Sequence, residues 1–185
     1  MDHWLFIGGA TCLDFVNTLR DRWAEEPTET LREPADLAAW SAAAGVAETL
    51  LPIDDGDLAR AVTVRAVLFR LLTQSDDIGA ADIALLNKLA AAAPRPVLGR
   101  IQAAELPTVR PPRATTANDI LGLVIADALE LLAEHGTAPV KECEHPRCGL
   151  RYLDASRGGR RRWCSMQRCG NRAKVRRYDR NHASD

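Results

Sequence analysis

The sequence predicts a mainly α fold: a helical N-terminal domain with a small β-hairpin, followed by a short cysteine-bearing module of treble-clef or ribbon type. Three observations predict it. Apolar residues recur at helical spacing between capping residues, Gly and Pro over the first 136 residues. Four of the five cysteines crowd into the C-terminal quarter. The charge divides the same way, with 13 Lys+Arg against 5 Asp+Glu in residues 141–185 and 11 against 20 in residues 1–140. The overall net charge of −1 describes neither part. At 185 residues the chain accommodates one ordinary core plus a small appendage. The division therefore falls at 1–136 and 137–185.

The elements follow in order. Leu13, Val16, Leu19 and Trp23 at helical spacing predict a first helix over about Ala10–Trp23. Cys12 in that stretch reads as a small core residue. Pro34 suits the first turn of a second helix, and Gly45 the position just past its end. Asp54 or Asp55 caps a long helix reaching about Gln74, with Leu58, Val62, Val64, Arg65, Leu68, Phe69 and Leu72 along one stripe. Ala80–Ala93 forms another, with Ile83, Leu86, Leu89 and Ala90 inward, and Pro94 stops it. Residues 95–113, rich in Pro and carrying Val97, Leu98, Ile101, Leu106 and Val109, read as a hairpin or arm. Thr115 or Thr116 caps the last long helix, which buries Ile120, Leu123, Val124, Leu131 and Leu132 and ends at Gly136. Residues 137–142 then serve as a hinge stiffened by Pro139.

The four C-terminal cysteines follow the pattern Cys143-x4-Cys148-x15-Cys164-x4-Cys169. Two close pairs joined by a returning loop present four thiolates to one tetrahedral Zn2+. Two disulfides are the competing reading. The start MDHWLFIGG lacks a basic segment and a long apolar run, so the thiols are expected in a reducing, cytoplasmic setting that favours metal. Four thiolates leave no position for water, so the zinc is structural, one per chain. Gly149, Leu150 and Tyr152 suggest a strand leaving the first corner, Arg160–Trp163 the returning strand, and Ser165 a helix cap. His145 or His182 replacing a cysteine is the minor alternative, and His145 is expected on the surface of the corner.

The segment CEHPRCGLRYLDASRGGRRRWCSMQRCGNRAKVRRYDRNH carries more than the cysteines. Cys169-Gly170-Asn171-Arg172, Trp163-Cys164-Ser165 and the loop of Asp154, Ser156 and Arg157 resemble the CGNR zinc-finger family. CLDFVNTLRDRW from Cys12 and DLAAWSAAAG from Asp36 resemble the domain that precedes this finger, an ABATE-like domain named for stress-induced transcription regulation. The resemblance implies a zinc-dependent module binding nucleic acid, DNA or RNA.

The charge pattern points the same way. Arg168, Arg172, Arg176 and Arg180 stand four apart, which forms one stripe on an α-helix, drifting by about 40° per step. Lys174 and Arg177 broaden it, and Arg157, Arg160, Arg161 and Arg162 add charge before the second cysteine pair. Few acids interleave, so the stripe fits a phosphate backbone better than a salt-bridged surface helix. Arg172 and Asn171 stand beside a zinc ligand, so bracing the second corner is an open alternative for both, and Trp163 is expected over the zinc site.

No Gly-rich phosphate loop, His-Glu-x-x-His or nucleophile motif appears, which argues against an enzyme. The apolar run Ile120–Ala133 is broken by Asp127 and Glu130, so no membrane span is expected. Asp14, Asn17, Arg20 and Arg65 are polar groups among apolar neighbours. They fit either helix packing or a pocket for a small-molecule effector. A protein-interaction finger without nucleic acid is the second reading.

Overall fold

The computed structural model describes residues 4–99 and 108–182, the last six by backbone alone. The opening helix is short. It spans Thr11–Val16 (α1) and ends at Asn17, although apolar spacing predicts it to Trp23. Short polar side chains compete with the helical ladder at that point. The Thr18 hydroxyl donates to Phe15 O at 2.7 Å, and the Asn17 side chain bonds elsewhere entirely. The chain turns into Leu19–Arg20 (β1), which pairs antiparallel with Thr28–Glu29 (β2) through Leu19↔Glu29 and Arg20↔Thr28. Asp21 adopts φ +52°, and Trp23 lies 54 % exposed instead of in the core.

The next three helices follow their caps. Pro34–Ala43 (α2) begins on the predicted proline, and Gly45 turns the chain away at φ +69°. Asp55–Leu72 (α3) starts with Asp54 accepting from Asp57 N at 2.8 Å. Ala80–Ala91 (α4) buries Leu86 and Leu89, but Ile83 is 51 % exposed. Its first turn is tied down instead by the ion pair of Asp82 with Arg70, 2.7 Å long.

Val97–Gly99 (β3) and Thr108–Arg110 (β4) form the expected hairpin, with Val97, Leu98 and Val109 exposed. Ile101 and Leu106 lie outside the described residues. Ala117–His135 (α5) starts at Thr116, whose hydroxyl accepts from Asp119 N. It is the central helix: Ile120, Leu121, Val124, Ile125 and Ala128 are fully buried against α1, α3 and α4. Gly122 lets α4 approach, since a Cβ there would lie 2.8 Å from Leu89 O. Trp40 of α2 and Phe15 of α1 pack in a tilted arrangement, 5.0 Å between ring centres and 56° between planes. Among the described residues no helix is long and apolar enough to cross a membrane.

The C-terminal module departs from expectation in its strands. The hinge region contains Val140–Glu142 (β5), which pairs antiparallel with Arg151–Leu153 (β6) around the first cysteine pair. Arg160–Trp163 is not the returning strand. Asp154 explains why: its carboxylate accepts from Arg161 N at 3.0 Å and from Ser156 N and Oγ, so the backbone there bonds to a side chain rather than a ladder. Ser165 caps one turn of π-helix, Met166–Gly170, which leads into Asn171–His182 (α6).

Candidate metal centre and nucleic-acid interface

Cys143 and Cys148 sit on the turn between β5 and β6, and Cys164 and Cys169 flank the start of the π turn. All four are at most 3 % exposed. Their sulfurs lie within 4.8 Å of one another, with Cys148–Cys164 at 3.5 Å and Cys164–Cys169 at 3.6 Å. Four sulfurs held about 2.3 Å from one Zn2+ would stand about 3.8 Å apart, so the cluster has the dimensions of a tetrahedral site. A disulfide needs about 2.05 Å, and all five cysteines are free thiols.

The four thiols also perturb one another's ionisation. Cys143 is pulled far below the thiol range by hydrogen bonds from Cys148 and Cys164. Cys148, bonded to Cys143, is pushed above the thiol range, and so is Cys164 by Cys143 and Cys148. Thiolates this close repel, and a dication removes the conflict by letting all four ionise.

Neighbouring groups shape the thiolates. Cys164 N donates to Cys143 Sγ at 3.4 Å. Arg172 donates from Nη2 to Cys169 Sγ at 3.1 Å and from Nε to Arg168 O at 2.8 Å. The bracing role foreseen for Arg172 is therefore visible in its contacts. Trp163 packs against the cysteine cluster, as expected. His145 differs from expectation: it is only 4 % exposed, its Nδ1 accepts from Arg147 N at 3.2 Å, and it is not part of the sulfur cluster.

The predicted basic residues separate into two groups. Arg161 points inward. Its Nε donates to Trp163 O at 2.9 Å, its Nη1 to Leu153 O at 3.3 Å and its Nη2 to Cys164 O, while the guanidinium covers the Tyr152 ring at 4.4 Å. Arg157, Arg160, Arg162, Lys174 and Arg176 are exposed. Arg162 pairs with Glu144 at 2.6 Å and lies over Trp163. Arg168 falls in the π turn rather than in α6, so the regular stripe begins at Arg172. Arg177 and Arg180 belong to α6 by backbone, but their side chains lie outside the described residues.

Two features escaped the sequence. The first is the role of Asp154, noted there only as part of a family-like loop: it is buried and bonded by Lys141 at 2.7 Å. The Lys141 ammonium and then the Ser156 hydroxyl hold its carboxyl far below the usual range. Lys141 also donates to Gly159 O, so this one acid fixes the whole loop between the corners. The second is the partner of Asn17. Its Nδ2 donates to Arg151 O at 2.8 Å and its Oδ1 accepts from Arg151 N at 2.9 Å. A side chain amide thus takes the place of a neighbouring strand along β6, and Gly8 O accepts from Leu153 N at 2.7 Å along the same edge. Leu5 and Ile7 complete the small core around the cysteines. Arg65, another polar candidate, is buried in an ion pair with Glu29 and donates to Thr18 Oγ at 2.9 Å, which is packing rather than a pocket.

Residues 9–135 match the ABATE family, whose description is "Putative stress-induced transcription regulator". The chain belongs to the ABATE family. Residues 140–182 of this ABATE protein match the CGNR zinc finger, and the buried four-sulfur cluster lies within that match. The finger holds one structural zinc. No curated protein matches the chain. Both family descriptions are of regulator and zinc-finger type. In this ABATE protein, the stretch CLDFVNTLRDRW gains a physical meaning: it contains Asn17, whose amide bonds both backbone groups of Arg151 in the finger.

Proposed function

We propose that this ABATE protein is a cytoplasmic, stress-responsive transcription regulator that binds nucleic acid through its finger, with DNA the favoured partner and RNA the alternative. The division at 136/137 separates an input or assembly module from the binding module. Cys143, Cys148, Cys164 and Cys169 hold the zinc, which has no open position and does no chemistry on a substrate. Arg157, Arg160, Arg162, Arg168, Lys174 and Arg176 meet phosphates, continued along α6 by Arg177 and Arg180. Arg161 and Arg172 brace the corners instead. The helical part takes a small-molecule effector, for which a cleft of about 520 Å3 lined by Thr11, Val46, Leu123 and Asp127 offers space.

One observation carries the reading. Arg157, Arg160, Lys174 and Arg176 are exposed on a small module, and among the described residues none of them is paired with a carboxylate. Unpaired surface arginines on a net positive module attract polyanions. The test is titration of the zinc-loaded protein against duplex DNA and single-stranded RNA at two salt concentrations. Affinity should fall steeply with salt, and Arg176→Ala should lower the slope of log affinity against log salt by about 0.9 on duplex. Unchanged affinity and slope in that variant would favour a protein-interaction finger.

A further inference from the structure

The edge of β6 away from β5 is covered by the ABATE part. On the β5 side, Leu150 O accepts from Cys143 N and Asp154 N donates to Pro139 O. Arg151 and Leu153 turn the other way, as alternate residues of an antiparallel strand do. The Asn17 clamp takes both backbone groups of Arg151, and Gly8 O accepts from Leu153 N at 2.7 Å. Gly8 is itself held from α1, because its N donates to Asp14 Oδ1 at 2.7 Å. A Cβ on Gly8 would stand 2.8 Å from Leu13 Cβ and 2.9 Å from that oxygen, so the approach is open to glycine alone.

Residues 5–8 thus form a strap between the two parts. The finger's small core consists of Leu150, Tyr152 and the four zinc ligands. Among the described residues, three half-buried apolar side chains pack on that core, and two of them, Leu5 and Ile7, come from the strap. Phe6 between them is 43 % exposed. A module this small draws its folding free energy from the metal and from the few apolar groups it buries. Whatever binds only the folded finger stabilises it, and the linkage is reciprocal.

We infer that residues 5–8 are a zinc-linked latch. The metal holds them against β6, they in turn hold the metal, and α1, through Asp14 and Gly8, distinguishes the zinc-loaded finger from the zinc-free one. This goes beyond the nucleic-acid reading and does not depend on it. When zinc leaves, β6 loses the order that presents Arg151 and Leu153 to α1. Leu5 and Ile7 then lose their seat, and Asn17 and Gly8 lose their partners. The metal state of the finger becomes an input that the ABATE part reads.

The experiment uses the full-length protein with Zn2+ as the only ligand. Zinc is withdrawn from the parent with a chelator and amide hydrogen exchange is followed. Gly8 and Leu153 should lose about tenfold or more of their protection, while Val124 and Ile125 of α5 keep theirs within the helical core. Unchanged protection at Gly8 would overturn the latch. Equal loss across α5 would also overturn it, since the response would then be global unfolding. Competition against a chromophoric chelator measures the reverse direction. Leu5→Ala combined with Ile7→Ala should weaken zinc binding about tenfold, while the thiolate absorption of the Co2+-loaded variant keeps its shape. Leu98→Ala, an exposed change on β3, should leave zinc affinity unchanged. Parent-like zinc affinity in the double variant would overturn the latch. The exchange measurement on the parent needs no substitution, so it decides the question even where a variant folds poorly.

Discussion

Removing the Asn17 side chain should detach the finger from the helical part before it disturbs either core. Asn17 is 4 % exposed, and its amide meets both backbone groups of Arg151 at 2.8 and 2.9 Å. In Asn17→Ala that N–H and C=O lose the side-chain partner they have on this edge of β6. Each buried group left unpaired costs about 1–3 kcal/mol. Arg151 is half-buried, so water recovers part of this, and about 2 kcal/mol is expected. For a chain of this size that lowers Tm by roughly 4–8 °C. Asn17→Asp should do no better than Ala, because it keeps the acceptor but sets a carboxylate oxygen against Arg151 O. The assay is thermal denaturation together with amide hydrogen exchange. Arg151 and Leu153 should exchange faster in the variant while amides of α5, whose Val124 and Ile125 are fully buried, stay protected. A Tm within about 1 °C of the parent and unchanged exchange at Arg151 would refute the clamp.

Other expectations follow from the same contacts. Cys164→Ser should remove zinc, read by elemental analysis, while most helical circular dichroism survives, since the helical core contains none of the four cysteines of the cluster; full zinc content in the variant would exclude Cys164 as a ligand. Arg161→Ala should cost about 2–4 kcal/mol by leaving three carbonyls without their charged donor, whereas Arg160→Ala should weaken nucleic-acid binding with little change in Tm. Burial raises the Asp14 carboxyl from 3.8 to about 6, with Gly8 N donating to it at 2.7 Å and Asp127 adding repulsion. The folded state then holds this proton more tightly than the unfolded chain does. Its contribution to stability is greatest below about pH 4 and is lost as pH rises through about 6. Asp14→Asn should therefore gain on the parent across that window, by about 1–3 kcal/mol at pH 7.5 in chemical denaturation; a gap that does not widen with pH would count against it.

The sequence determined whatever depends on neighbours along the chain. Asp54 and Thr116 cap their helices because a short side chain three residues from a free N–H needs no partner from elsewhere. The two Cys-x4-Cys pairs announce a four-sulfur site for the same reason: each pair forms a local corner, and the metal itself selects the geometry. Tertiary structure decided what depends on distant partners. Helical spacing carries on to Trp23, but Asn17 has its best partner 134 residues away, and satisfying a buried amide outweighs one more turn of helix. Arg160, Arg161 and Arg162 read alike in sequence, yet only Arg161 finds carbonyls of Leu153, Trp163 and Cys164 aimed at its fork. Asp154 likewise replaces a predicted strand with a loop, because Lys141, thirteen residues earlier, arrives beside it only when β5 and β6 pair. Charge count belongs to the chain; which charge faces solvent is fixed by the backbone groups that packing brings within hydrogen-bond reach.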